Sequence, residues 1–153
     1  MIFYLTKTLL RIFSKPRKKR RFRQNIDLAN KQKGDKYELQ ISSLYKCKGY
    51  KVYPNGAING VADGGIDLIA YKDNDAVLIQ CKNWEYSQVK QEHLRIFLGD
   101  CTAYLEKNRH IFAKKNVHRV FITSCQNTDY SVKRFVEKNN VEYMVIPYKR
   151  DKF

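Results

Sequence analysis

The stretch that most constrains the fold is residues 63–84, DGGIDLIAYKDNDAVLIQCKNW. Two apolar-rich runs, 66–71 and 76–82, flank Lys72-Asp73-Asn74-Asp75, which is turn chemistry. The pattern predicts a β-hairpin. With Asp73-Asn74 as a two-residue loop, Asp67 falls opposite Gln80. Side chains alternate along a strand, so Asp67, Gln80 and Lys82 share one face. Each is a poor choice for a strand that otherwise reads as buried, and an acid, an amide and an amine converging on the rim of a sheet point to a site. The plainer reading of the same residues is an Asp67–Lys82 salt bridge at a hairpin end.

The rest of the chain supplies partners for this hairpin. Residues 28–48 read as a helix with an apolar stripe of Tyr37, Ile41, Leu44 and Tyr45 and a C-capping Gly49. Glu38 sits on the edge of that stripe. Residues 50–54 form a short strand, and Asn55-Gly56 opens a glycine-bearing loop that reaches Asp63. A second helix is expected from an N-cap at Ser87 to about Lys107, burying Val89, Leu94, Phe97, Leu98, Cys101, Tyr104 and Leu105. His93 on its surface tempts as a general base but reads as neither catalytic nor a ligand, and His110 and His118 show no partner spacing. Residues 117–123, 129–139 and 141–147 then read as strand, helix and strand, a parallel addition to the hairpin sheet. There is no glycine-rich phosphate loop and no Ser/His/Asp arrangement, so ATP dependence has no support.

Charge narrows the partner. The 153 residues carry a net charge of +15, which favours a polyanion: DNA, RNA or an anionic membrane surface. Residues 1–25 hold nine Lys and Arg and no acid, yet the remainder is still basic. Within that head, residues 1–15 are amphipathic and too short and too charged to span a bilayer. They suit an interfacial helix on an anionic membrane, a helix docked on its own domain, or a disordered end. Arg17, Lys18, Lys19, Arg20, Arg21 and Arg23 follow Pro16 as a solvated linker that strengthens DNA binding through counterion release. The four cysteines, Cys47, Cys81, Cys101 and Cys125, lack zinc-ligand spacing and read as reduced, mostly buried thiols in a cytosolic protein, with peripheral attachment to the inner membrane face as the variant.

The hairpin residues carry a resemblance. Asp67 followed by Gln80-Cys81-Lys82 resembles the D…(D/E/Q)xK signature of the PD-(D/E)xK nucleases. Gly64-Gly65-Ile66-Asp67-Leu68-Ile69-Ala70 and Ile79-Gln80-Cys81-Lys82-Asn83-Trp84 resemble the Mrr-type restriction endonuclease domain, in which glutamine commonly replaces the middle acid. Gly34-x-x-Tyr37-Glu38 with Gly49-Tyr50-Lys51-Val52 resembles its first helix, and the likeness covers about residues 33–147.

The resemblance implies an α/β, restriction-endonuclease-like core, a mixed sheet flanked by helices in the order α-β-β-β-α-β-α-β. Residues 1–26 then form a basic N-terminal segment and 27–153 the nuclease domain. It further implies a Mg²⁺-dependent DNA endonuclease leaving 5′-phosphate and 3′-hydroxyl ends. Asp67 would be the central metal ligand, preferred over its rival Asp63 because the family's acid follows Gly-Ile. Glu38, the Gln80 amide oxygen and the Cys81 backbone carbonyl would complete the set. Lys82 would orient the attacking water or supply charge to the scissile phosphate; neighbouring Asp67 favours the ammonium form and hence these roles over a neutral base. A resolvase-like or repair nuclease, and a DNA-binding protein without catalysis, are the rivals. No recognition domain is evident, which leaves loops, a partner chain or a homodimer to provide specificity.

Overall fold

The computed structural model describes residues 17–55 and 65–150, with side chains from residue 21 onward. The amphipathic reading of residues 1–15 and the rival Asp63 lie outside the described residues. The chain divides into two units between Lys33 and Gly34. Its elements run α1 (Arg17–Cys47), β1 (Lys51–Pro54), β2 (Leu68–Lys72), β3 (Asp75–Lys82), α2 (Gln91–Lys107), α3 (Arg109–Phe112), β4 (Asn116–Thr123), α4 (Tyr130–Lys138) and β5 (Glu142–Val145).

In the first unit the backbone is helical from Arg17, where a solvated linker was expected. Lys, Arg and Gln are good helix formers, so a run of them continues a helix once one is nucleated next to it. The residues of this part of α1 are exposed from Arg21 through Gln32.

The second unit is an α/β core built on one five-stranded sheet in the order β1-β2-β3-β4-β5. The first three strands are antiparallel, and β4 and β5 add in parallel. Leu68 pairs with Ile79 and Lys72 with Asp75, so the hairpin closes through Asp73-Asn74 in the expected register. Asp73 adopts φ +50°, a conformation that Asp tolerates better than most side chains.

Alternation splits the strand residues between two cores. Leu68, Ala70, Val77, Ile79, Cys81, Val120 and Ile122 meet Tyr37, Ile41 and Tyr45 of α1 on one face. Ile69, Ala76, Leu78 and Phe121 meet Leu94, Phe97 and Cys101 of α2 on the other. Each fully buried Phe or Leu here contributes roughly 1.5–3 kcal/mol relative to exposure. Helix α1 ends as Gly49 requires: at φ +88° its N–H donates to the Lys46 carbonyl, and the Tyr50 N–H donates to that of Tyr45. The Tyr45 and Tyr50 rings close this motif edge to face at 5.4 Å. Past β5 the chain is tied back to α1, with the Tyr37 hydroxyl donating to the Ile146 carbonyl at 2.7 Å.

Helix α2 starts at Gln91, four residues beyond the cap expected at Ser87. The Lys90 N–H donates to Nδ1 of His93 at 2.9 Å, and the His93 N–H to the Lys90 carbonyl at 3.0 Å. A histidine ring reaching back to the Lys90 N–H thus stands at the helix start, where the cap was expected from Ser87. Lys90 also reaches Asp129, the N-cap of α4, at 2.7 Å. Hydrogen bonds from Lys90 and then Ser131 pull the Asp129 carboxyl down to about 2. A depressed carboxylate adds stability above its ordinary range, near 4, that is lost as pH falls through its folded value. Acid-unfolding curves of the wild type and Asp129→Ala are therefore expected to separate above pH 4 and to merge near pH 2; a constant separation would show that ionisation of Asp129 does not matter.

Among the described residues no helix is long and apolar enough to cross a membrane. Cys81, Cys101 and Cys125 are buried free thiols and Cys47 is exposed.

Candidate active site

The entrance to the hairpin is built by backbone geometry before any side chain acts. Gly65 adopts φ +72°, where a side chain is strained. Asn55, wholly buried after β1, holds the two residues that follow Gly65: its Nδ2 donates to the Ile66 carbonyl at 3.0 Å and its N–H to the Asp67 carbonyl at 2.9 Å. The Asp67 N–H in turn donates to the Ile79 carbonyl at 2.9 Å.

The next rung of the β2–β3 ladder is made by a side chain. The Cys81 N–H donates to Oδ2 of Asp67 at 2.6 Å. The N–H and C=O of one strand residue point towards the same neighbouring strand. The Cys81 carbonyl therefore opens on the edge that carries the Asp67 carboxylate. The Cys81 side chain turns the other way, into the core beneath α1. Burial pushes its thiol well up, the charges of Asp67 and Glu38 push it further, and Lys82 opposes them. The thiol stays protonated at neutral pH and offers no thiolate to a metal. Glu38 of α1, Asp67 ahead of β2 and Lys82 at the end of β3 thus all bear electrostatically on this one thiol.

Gln80 is buried on the opposite face from Cys81, in line with Leu78. A Cβ placed on Gly65 would lie 3.3 Å from its Nε2 and would run into the carboxylate of Asp100 on α2. A carboxylate only accepts hydrogen bonds, so it favours the NH₂ end of the amide beside it and leaves Oε1 for other partners. The described contacts thus bring Asp67 to the Cys81 backbone, and Gln80 with Asp100 to Gly65.

Two carboxylates, a main-chain carbonyl and an amide oxygen are hard donors. That set fits Mg²⁺, which uses one or two carboxylates and lets phosphate and water complete its shell. Among the described residues no three His, Cys, Asp or Glu side chains are grouped to hold an ion by themselves.

The lysine closes the link to the parallel strands. Its carbonyl accepts from the Ser124 N–H at 3.1 Å, and the Ser124 hydroxyl donates to Oδ1 of the adjacent Asn83 at 2.8 Å. His93 belongs to the scaffold, capping α2 while its ring meets Trp84 edge to face at 4.9 Å. Arg21 and Arg23 are exposed on α1, and Arg17, Lys18, Lys19 and Arg20 are placed by their backbone alone.

Asn55 and Asp100 were missed in the sequence. Asn55-Gly56 reads as turn chemistry, and nothing local marks that amide as a buried clamp. Asp100 had a usable signal: it falls beside Cys101 and three residues after Phe97, on the border of the buried stripe.

The Mrr_cat family model, described as restriction endonuclease, matches residues 29–147. A search of curated proteins gives no match. Among solved structures, a crystal structure of a protein of unknown function, AF1548, is similar with a TM-score of 0.51 at 15% identity. That similarity covers 71% of this chain and 56% of the other, and it concerns the fold.

Proposed function

The chain belongs to the Mrr-type restriction endonuclease family and is a nuclease, and from that premise we propose a Mg²⁺-dependent DNA endonuclease acting where Asp67 replaces a rung of the hairpin ladder. The observation that supports this reading is the Asp67 carboxylate standing in for a ladder rung, held at 2.6 Å by the N–H of Cys81 next to Lys82.

Asp67 and Glu38 are proposed to hold the ion, with the Cys81 carbonyl and Oε1 of Gln80 beside them. When bound, Mg²⁺ activates water and screens charge on the phosphate. Lys82 orients the water and neutralises charge on the scissile phosphate. The Cys81 thiol, directed into the core, has no part. The basic run Arg17, Lys18, Lys19, Arg20, Arg21 and Arg23 adds affinity through counterion release without reading sequence. Cleavage of supercoiled plasmid in Mg²⁺, abolished by EDTA, tests the reading. DNA binding without cleavage would leave a binding protein instead.

Gln80 supplies a finer test. Gln80→Glu keeps the size of the side chain and adds a negative charge, so half-maximal cleavage is expected at lower Mg²⁺. Gln80→Leu removes the oxygen and is expected to need more. A Mg²⁺ titration at constant ionic strength measures both, and one midpoint for all three proteins would remove Gln80 from the ligand set.

A further inference from the structure

Just beyond the proposed cleavage site, two loops leave the carboxyl ends of adjacent parallel strands, β3 and β4. They enclose an open cavity of about 430 Å³ lined by Tyr86, Gln88, Gln126, Asn127, Thr128 and Lys133. Its size lies within the range of small-molecule sites, about 300–1,000 Å³. The carboxyl ends of parallel strands are also where open α/β sheets bind ligands.

The lining is chemically selective. Gln126 and Asn127 each carry a paired donor and acceptor, Gln88 adds its amide donors while its Oε1 accepts from Lys90 at 2.9 Å, and Thr128 carries a hydroxyl. Lys133 is the cation among the described lining residues, and none of them is a carboxylate. The nearby acids are engaged: Asp129 with Lys90 and Ser131, and Glu85 with Arg150 at 2.7 Å. Tyr86 is 89% exposed, a large aromatic ring standing in water at the cavity. A cation would find no charged ligand here, and an apolar chain would find little to cover. A nucleotide finds all three of its parts met: amides for a base edge, a ring for the base face and an ammonium for the phosphate.

Position connects the cavity to the reaction. Tyr86 lies four residues past Lys82, a reach of at most about 14 Å. The opposite wall begins three residues past Thr123, which pairs with Lys82. A concavity takes a base turned out of the helix, whereas stacked bases in a groove are read by protruding elements.

We infer that this cavity is a nucleotide subsite that receives one unpaired DNA nucleotide close to the scissile phosphate. The inference rests on the DNA-nuclease reading for its substrate and is tested by binding alone. The full chain in EDTA is titrated, by fluorescence anisotropy, with a paired duplex and with the same duplex carrying one unpaired nucleotide. The unpaired DNA is expected to bind at least about fivefold more tightly, the lower end of what base stacking on an aromatic ring provides. Tyr86→Ala is expected to bring that ratio close to one. Gln126→Ala and Asn127→Ala should narrow the differences among the four unpaired bases. Lys133→Ala should weaken both DNAs alike and make the salt slope shallower by about one. Equal affinities for the two DNAs, or a preference that survives Tyr86→Ala, overturn the subsite. Failure to cleave in Mg²⁺ would overturn the catalytic reading alone, because the affinity ratio is read without metal.

Discussion

Asp67→Asn and Lys82→Ala are each expected to lower the rate of Mg²⁺-dependent DNA cleavage by about two to four orders of magnitude while the chain stays folded. Asparagine is the sharper change at position 67. The Cys81 N–H donates to Oδ2 of Asp67 at 2.6 Å, and Asn keeps an oxygen to accept that bond while removing the charge. Asp67→Ala strips the acceptor as well, leaving the Cys81 N–H on the central strand unsatisfied at a cost of roughly 1–3 kcal/mol. Comparing the two separates chemistry from folding: both should be inactive, and Ala should also melt earlier. Lys82 is half-buried at the end of β3, so its truncation removes a charge without opening the core. Initial rates of plasmid nicking, alongside thermal melts, decide the matter. Undiminished cleavage by either charge-removing variant would move the catalytic centre elsewhere.

Gly65→Ala is expected to be the most damaging single methyl group near the site. A side chain at φ +72° costs roughly 1–2 kcal/mol by itself. The added carbon would also meet the Asp100 carboxylate and lie 3.3 Å from Nε2 of Gln80. For a chain of this length each kcal/mol lowers the melting temperature by about 2–4 °C. The two penalties can be divided. In a Gly65→Ala background, Asp100→Gly removes the steric partner and should recover part of the loss, while the backbone cost remains. If the double variant melts no higher than the sum of the single changes allows, Asp100 does not crowd position 65. Cleavage should fall with the same substitution, because Gly65 leads directly into Ile66 and Asp67.

These residues also show what could be read in advance. The hairpin register was legible from Lys72–Asp75 to Leu68–Ile79, because a two-residue turn fixes the pairs next to it and one buried face on each side forbids slippage. Beyond Leu68 it shifts, since the Asp67 N–H donates to the Ile79 carbonyl and the expected Asp67–Gln80 pair does not form. The end of α1 was legible because Gly49 does a job that only a residue tolerant of positive φ does well. Starts of helices were less so. Ser87 has the right chemistry for a cap, but Lys90 and His93 form the observed one, using a ring nitrogen that propensity rules do not count. The basic run was read as linker from its charge, although its residue types favour a helix. Asn55 and Asp100 were hidden for a different reason. Their partners, Ile66 with Asp67 and Gly65 with Gln80, are distant in the chain, and a polar residue reveals its burial only once the fold has brought such partners to it.

The side-chain rung at Cys81 gives the site its own spectroscopic gauge. An amide proton held by a carboxylate resonates according to how much negative charge that carboxylate keeps. The Cys81 amide therefore senses Asp67 without touching solvent chemistry elsewhere in the chain. Protonation, a bound cation and a charge-removing substitution each withdraw density from the same oxygen, and each moves one cross-peak. A single resonance, observed in the intact chain without DNA, can thus report the state of the centre before any bond is cut.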